Sequence, residues 1–168
     1  QNIEETKEIV KIAHAFGASV EGEIGHVGEA AQGDESLENM YTTVAEAKEY
    51  LENTGVDALA VAIGSAHGVY KKKPKLNVER LKEIAGAVSV PLVLHGGSGL
   101  SDDDFKNTIR EGIAKVNIFT DLCLAGERAM KDGAEKKLGY LETRNLKVEY
   151  IKEAVKYKMS LFGSVNKA

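Results

Sequence analysis

Apolar residues recur along the chain with two periods, and the two alternate. Ile3, Ile9, Val10, Ala13 and Phe16 fall at helical spacing, with Gly17 placed to end the helix. Residues 18–23 (ASVEGE) read as a short strand, and 25–39 as a polar, glycine-rich mobile loop. Thr43 with Glu46 three residues on forms a capping box; Val44, Ala47, Tyr50 and Leu51 stripe the helix behind it, and Gly55 stops it. Residues 56–63 (VDALAVAI) are almost continuously apolar, as in a strand covered on both faces. Asn77 can cap a helix that carries Val78, Leu81, Ile84, Ala85 and Val88 on one face. Residues 90–94 (VPLVL) predict the next buried strand, with Pro91 at its start, where a missing N–H is tolerated. Ser101 caps a helix with Phe105 and Ile109 that Gly112 closes; 113–118 (IAKVNI) is a fourth strand; Thr120 or Asp121 begins another helix. A polar linker is expected over 133–145, before a last helix striped by Val148, Ile151, Val155, Met159 and Phe162 and ended by Gly163.

The order is a helix followed by four strand–helix units. Such alternation gives an α/β fold with a parallel sheet and right-handed crossovers. Four strands can form a small doubly wound sheet, or half of an eight-stranded barrel of about 250 residues. Nothing marks a linker between domains, so 1–168 reads as one partial domain. The 168 residues, 43% hydrophobic with a net charge of −4, suit one soluble core and give no reason to expect nucleic acid or an anionic membrane as partner. The single cysteine, Cys123, excludes a disulfide framework, and no apolar run nears the roughly 20 residues that cross a bilayer. With no targeting signal, a cytoplasmic location is expected. The chain opens Gln1-Asn2-Ile3-Glu4 at the brink of a helix, without the strand that should precede it, so it is expected to be the later part of a longer protein.

The unusual polar residues fall at the C-terminal ends of the expected strands, where parallel α/β folds bind ligands. Glu21 and Glu23 sit two apart, on one side of their strand; inside a barrel they need a metal, another cation or a shared proton. His67, in Gly64-Ser65-Ala66-His67-Gly68, and His95, before Gly96-Gly97-Ser98-Gly99, lie at equivalent ends of neighbouring strands, within reach of one ion. His14 and His26 read as structural. Gly96, Gly97 and Ser98, running into the helix begun by Ser101, have the composition of a phosphate cradle, with Asn117 to Thr120 at the next junction as further donors. Lys115 shares a face with Asn117; it reads as a strand-end lysine bridging to a carboxylate, the alternative being a Schiff-base nucleophile.

The stretches VEGEIGHVGE (20–29), AVAIGSAHGVY (60–70), PKLNVERL (74–81), VPLVLHGGSGL (90–100), GIAKVNIFTDL (112–122) and LFGSVNKA (161–168) resemble the class II, metal-dependent ketose-bisphosphate aldolases that act on fructose and tagatose bisphosphates. The resemblance implies a fold: the C-terminal half, strands five to eight, of a (β/α)8 TIM barrel. It implies zinc ligation by His67 and His95, with Glu23 at a second divalent-metal position. It places the phosphate and ketone end of dihydroxyacetone phosphate on Gly68, Gly96, Gly97, Ser98, Asn117, Ile118, Phe119 and Thr120, with Na+ or K+ near the phosphate. It gives Glu29 the handling of the C–H proton. The family's third zinc histidine and its proton-donating aspartate fall in the N-terminal half, outside these residues. Phe119 stands where some fructose-bisphosphate members carry aspartate, leaving the sugar open. The 168 residues alone are therefore expected to bind zinc weakly, to show little aldolase activity, and to pair with themselves or with an N-terminal half. A phosphate-binding half-barrel without catalysis is the remaining alternative.

Overall fold

The computed structural model describes residues 1–25, 28–29, 41–68 and 74–167. Its elements are helix α1 (Asn2–Ala15), strands β1 (Glu21–Ile24) and β2 (Gly28–Glu29), α2 (Val44–Thr54), β3 (Ala58–Val61), β4 (Ala66–His67), α3 (Val78–Ala85), β5 (Leu92–Leu94), α4 (Asp102–Arg110), β6 (Ile113–Val116), α5 (Thr120–Glu135) and α6 (Tyr140–Leu161). Gln1–Asn117 and Ile118–Ala168 form two compact units.

In the first unit β1, β3, β5 and β6 pair in parallel, in that order. Strands that neighbour one another in chain order, each joined through a helix, are the arrangement of an arc of a (β/α)8 barrel. A doubly wound sheet instead reverses its strand order part-way along. One face of the sheet belongs to the helices: Gly22 is buried there, and a Cβ on it would come within 2.6 Å of the Tyr50 ring on α2. Leu59, Leu81, Ile84, Leu92, Leu94 and Phe105 are fully buried. The opposite face of the middle strands is also covered, since Ala60 and Val93 are 1% and 0% exposed. This two-sided burial explains why β3 and β5 read as unbroken apolar runs.

The caps expected from sequence form. Thr43 and Glu46 close a reciprocal capping box at α2, Asn77 accepts from the Arg80 amide at α3, and Ser101 with Asp104 caps α4. Gly55 ends α2 at φ 73°, in the left-handed region. The strands are shorter than their apolar runs, because backbone pairing stops before the side-chain pattern does. The pair β2–β4 forms its own two-stranded parallel sheet, which the sequence did not announce.

In the second unit the expected linker over 133–145 does not exist. Helix α5 runs to Glu135 and α6 begins at Tyr140. Gly133 is a packing glycine: a Cβ there would stand 2.8 Å from Thr143 on α6. Ala125, Gly126, Ala129 and Gly133 are the buried residues of α5, a stripe of small side chains that lets the two helices approach closely. The expected apolar stripe of α6 is largely open within this unit, Val148 and Met159 being 56% and 45% exposed. No helix among the described residues is long and apolar enough to cross a membrane.

Candidate functional site

The inner face of the sheet carries the chemistry. Glu23, Ala60, Val93 and Lys115 lie in one row across the four strands. The last step of that row depends on a β-bulge. Leu92 pairs with Ile113 but Val93 pairs with Lys115, so Ala114 is the extra residue. Without the bulge Ala114 would face inward and Lys115 would turn to the helix side; with it, Lys115 and then Asn117 face inward. Pairing continues past β6 through a hydrogen bond from the Asn117 amide to the Leu94 carbonyl, 3.0 Å. Thr42, fully buried, joins the ends of β1 and β3. Its hydroxyl donates to the Ile24 carbonyl (3.0 Å) and accepts from the Ala62 amide (2.9 Å). Sequence reading passed over Thr42, because its partners are fixed only by tertiary structure.

His95 follows β5 and lies between the two glutamates of β1. Its Nε2 is 3.0 Å from Glu21 Oε1 and its Nδ1 is 3.3 Å from Glu23 Oε1. Glu21 Oε2 accepts from Lys115 Nζ at 2.8 Å, and the same ammonium donates to Asn117 Oδ1 at 2.9 Å. Burial pushes the Glu21 carboxyl up, but hydrogen bonds and charge from Lys115 and His95 push it down further, and it lies below the ordinary carboxylate value. Glu21 thus finds in Lys115 a cation of the kind that its inward placement demands. Lys115 is 54% exposed at its side chain and ion-paired, whereas an amine that forms a Schiff base is desolvated and neutral; the geometry speaks for the bridging role.

His67 is in β4, opposite Glu29 of β2 in the parallel register. The side chains of His67 and Glu29 lie outside the described residues, as does His26. The backbone nevertheless brings the two histidine turns together. A Cβ on Gly96 would stand 2.5 Å from the Ala66 carbonyl oxygen, so the residue after His95 presses on the residue before His67. Gly96 takes φ 66°, Gly99 φ 84° and Gly68 φ 97°, conformations that side chains resist. A Cβ on Gly68 would meet nothing within 4 Å. Ser98 is buried.

The α4 N-terminus carries its own cap. Ser101 and Asp104 satisfy each other's donors there, and Asp102, Asp103 and Asp104 crowd the first turn with negative charge. Helix α5 has no side-chain cap at Phe119. Ile118, Phe119 and Thr120 open the second unit, Phe119 being 76% exposed. His14 is structural, as expected, holding Asp57 at 2.9 Å.

Whether these donors suit zinc can be tested on the spacing. Two ligands of a tetrahedral zinc, each at about 2.0–2.2 Å, stand about 3.3–3.6 Å apart. His95 Nδ1 and Glu23 Oε1 have that separation, while Glu21 holds the other ring nitrogen, as a carboxylate behind a ligating histidine does. Two donors fit. Among the described residues no third joins them in a metal-holding group.

The family model for class-II fructose-bisphosphate aldolase matches residues 1–167. The chain belongs to the class-II fructose-bisphosphate aldolase family. It is 48% identical over 169 residues to uncharacterized protein YdjI of Escherichia coli (strain K12), covering all of this chain and 60% of that protein. The crystal structure of the YdjI aldolase from Escherichia coli K12 superposes with a TM-score of 0.86 at 44% identity, over 99% of this chain and 58% of that one. A structure of a proposed fructose-1,6-bisphosphate aldolase from Coccidioides immitis gives 0.86 at 30% identity, over 99% and 59%. The chain therefore spans about three-fifths of the length of these relatives. Its α/β fold is a half-barrel of this aldolase family, with the sheet order described above.

Proposed function

We propose that the chain provides the metal- and phosphate-binding half of a zinc-dependent ketose-bisphosphate aldolase. The reaction is reversible cleavage of fructose- or tagatose-1,6-bisphosphate to dihydroxyacetone phosphate and glyceraldehyde 3-phosphate. The observation that carries this reading is the His95 ring held between Glu21 and Glu23 at the C-terminal end of the sheet, beside the Gly96 turn.

In this reading His67 and His95 hold the catalytic zinc, and Glu23 serves that ion or a second divalent one. Zinc bound there supplies a Lewis acid for the ketone and hydroxyl oxygens of the substrate. The chain's own residues do the rest. Glu21 fixes the His95 ring. Backbone amides of Gly68, Gly96, Gly97 and Ser98 and the Asn117 amide group grip the phosphate end, with Na+ or K+ beside it. That grip fixes which carbon faces the base. Glu29, in register with His67, removes and returns the proton at C3 as the C3–C4 bond is made or broken. The second proton transfer and the third zinc ligand come from the N-terminal half of the barrel, so the 168 residues alone turn over poorly. The protein works in the cytoplasm, as an oligomer or with its N-terminal half.

A coupled assay on fructose and tagatose 1,6-bisphosphates, run on the chain joined to a complete barrel, tests this. Chelator-sensitive cleavage that His95→Ala abolishes is expected. Phosphate binding without cleavage by the complete protein would leave the non-catalytic half-barrel instead.

A further inference from the structure

We propose that Lys115 is a positioning residue that ties the metal end and the substrate end of this site to a single ammonium group. The geometry stands by itself; what the two ends do rests on the aldolase reading above. Lys115 reaches from β6 across the inner face to Glu21 on β1, passing over Val93 and Ala60, small enough to leave it room. The bulge at Ala114 is what turns it that way.

An ammonium donates up to three hydrogen bonds and accepts none. One of these bonds goes to Glu21 Oε2, whose other oxygen takes His95 Nε2; the carboxylate is thereby pinned at both oxygens and cannot swing away from the ring. His95 is then held with Nε2 toward Glu21 and Nδ1 toward Glu23. A second bond goes to Asn117 Oδ1. Because Lys115 cannot accept, the amide oxygen must face it, and the Asn117 NH2 turns outward, ready for a phosphate or hydroxyl oxygen. One side chain thus settles both a ring orientation and an amide orientation. An apolar residue here would release both; arginine would keep the charge and the forked donors.

The test uses the 168-residue chain with 15N-labelled histidine, and Lys115→Met, Lys115→Arg and Glu21→Gln variants. Ring nitrogen shifts are read without metal, and zinc affinity by competition with a fluorescent chelator. Lys115→Met and Glu21→Gln are expected to move the His95 ring signals while leaving those of His14 in place. Both are also expected to weaken zinc about 10- to 100-fold. Lys115→Arg recovers much of that loss, and Lys115→Met melts near the wild-type temperature because the Lys115 side chain is half-exposed. Unmoved His95 signals in Lys115→Met, or a zinc affinity within twofold of wild type, would overturn the role. If the wild-type chain alone binds no zinc, the missing third ligand is required for binding, and the ring signals by themselves decide the case of Lys115; the aldolase reading is tested separately by the cleavage assay on the complete barrel.

Discussion

Replacing Gly96 with alanine separates two costs that glycine avoids in the turn after His95. The first is conformational: at φ 66° an L-residue loses about 1 kcal/mol or more. The second is contact. The new Cβ would stand 2.5 Å from the Ala66 oxygen, 2.7 Å from its carbonyl carbon and 3.0 Å from its nitrogen. Those atoms are backbone of β4 and must retreat by about 1 Å to reach ordinary contact near 3.5 Å. Such overpacking costs about 1–3 kcal/mol. Gly55→Ala is the control: its φ is 73°, but nothing lies within 4 Å of its Cβ. The expected loss is thus about 1 kcal/mol for Gly55→Ala and about 3 kcal/mol for Gly96→Ala. Urea unfolding read from the amide signals of β3 and β5 reports on the first unit alone. Equal losses for the two substitutions would refute the close approach of the two histidine turns.

Three other predictions follow from packing and capping. Thr43→Ala removes the two bonds that the Thr43 hydroxyl makes with Glu46, leaving the Thr43 amide bond to its carboxylate, and should cost about 1 kcal/mol at pH 7 by thermal or urea unfolding. Hydrogen bonds from the Thr43 side chain and amide hold the Glu46 carboxyl below its ordinary value, so their stabilisation is complete above the unfolded carboxylate range, near 4.3. That stabilisation fades as pH falls through the lowered folded value, and the gap between Thr43→Ala and wild type should narrow by pH 3. In the second unit, Gly133→Ala should destabilise by about 1 kcal/mol, because its clash with Thr143 outweighs the better helix propensity. With Thr143→Ala already present, the same change should become stabilising, and a double-mutant cycle that shows no change of sign contradicts the packing role of Gly133.

What the sequence revealed and what it hid divide along a physical line. Thr43, Asn77 and Ser101 were legible as caps because their bonds reach only three residues ahead. The strands β3 and β5 were legible because burial on both faces leaves unbroken apolar runs. That Glu21 and Glu23 share one side of their strand was legible from period-two spacing, though not that this side faces inward, nor their partners, which come from 74 and 94 residues away. The bulge at Ala114 left no local mark, since IAKVNI scans as an ordinary strand, and yet it decides which way Lys115 points. Gly133 misled because a glycine that admits a neighbouring helix looks, in sequence, like one that ends its own. The three aspartates opening α4 were visible in the sequence; the reciprocal cap between Ser101 and Asp104 is the use the structure shows for one of them.

The account stands on His67 and His95 sharing one divalent ion beside the Gly96 turn. Zinc-edge X-ray absorption on the zinc-loaded chain measures this directly, through the imidazole count around the metal. Two imidazoles with oxygen ligands are predicted, falling to one in either His67→Ala or His95→Ala. A spectrum with no imidazole scattering, or one that neither substitution alters, would contradict it.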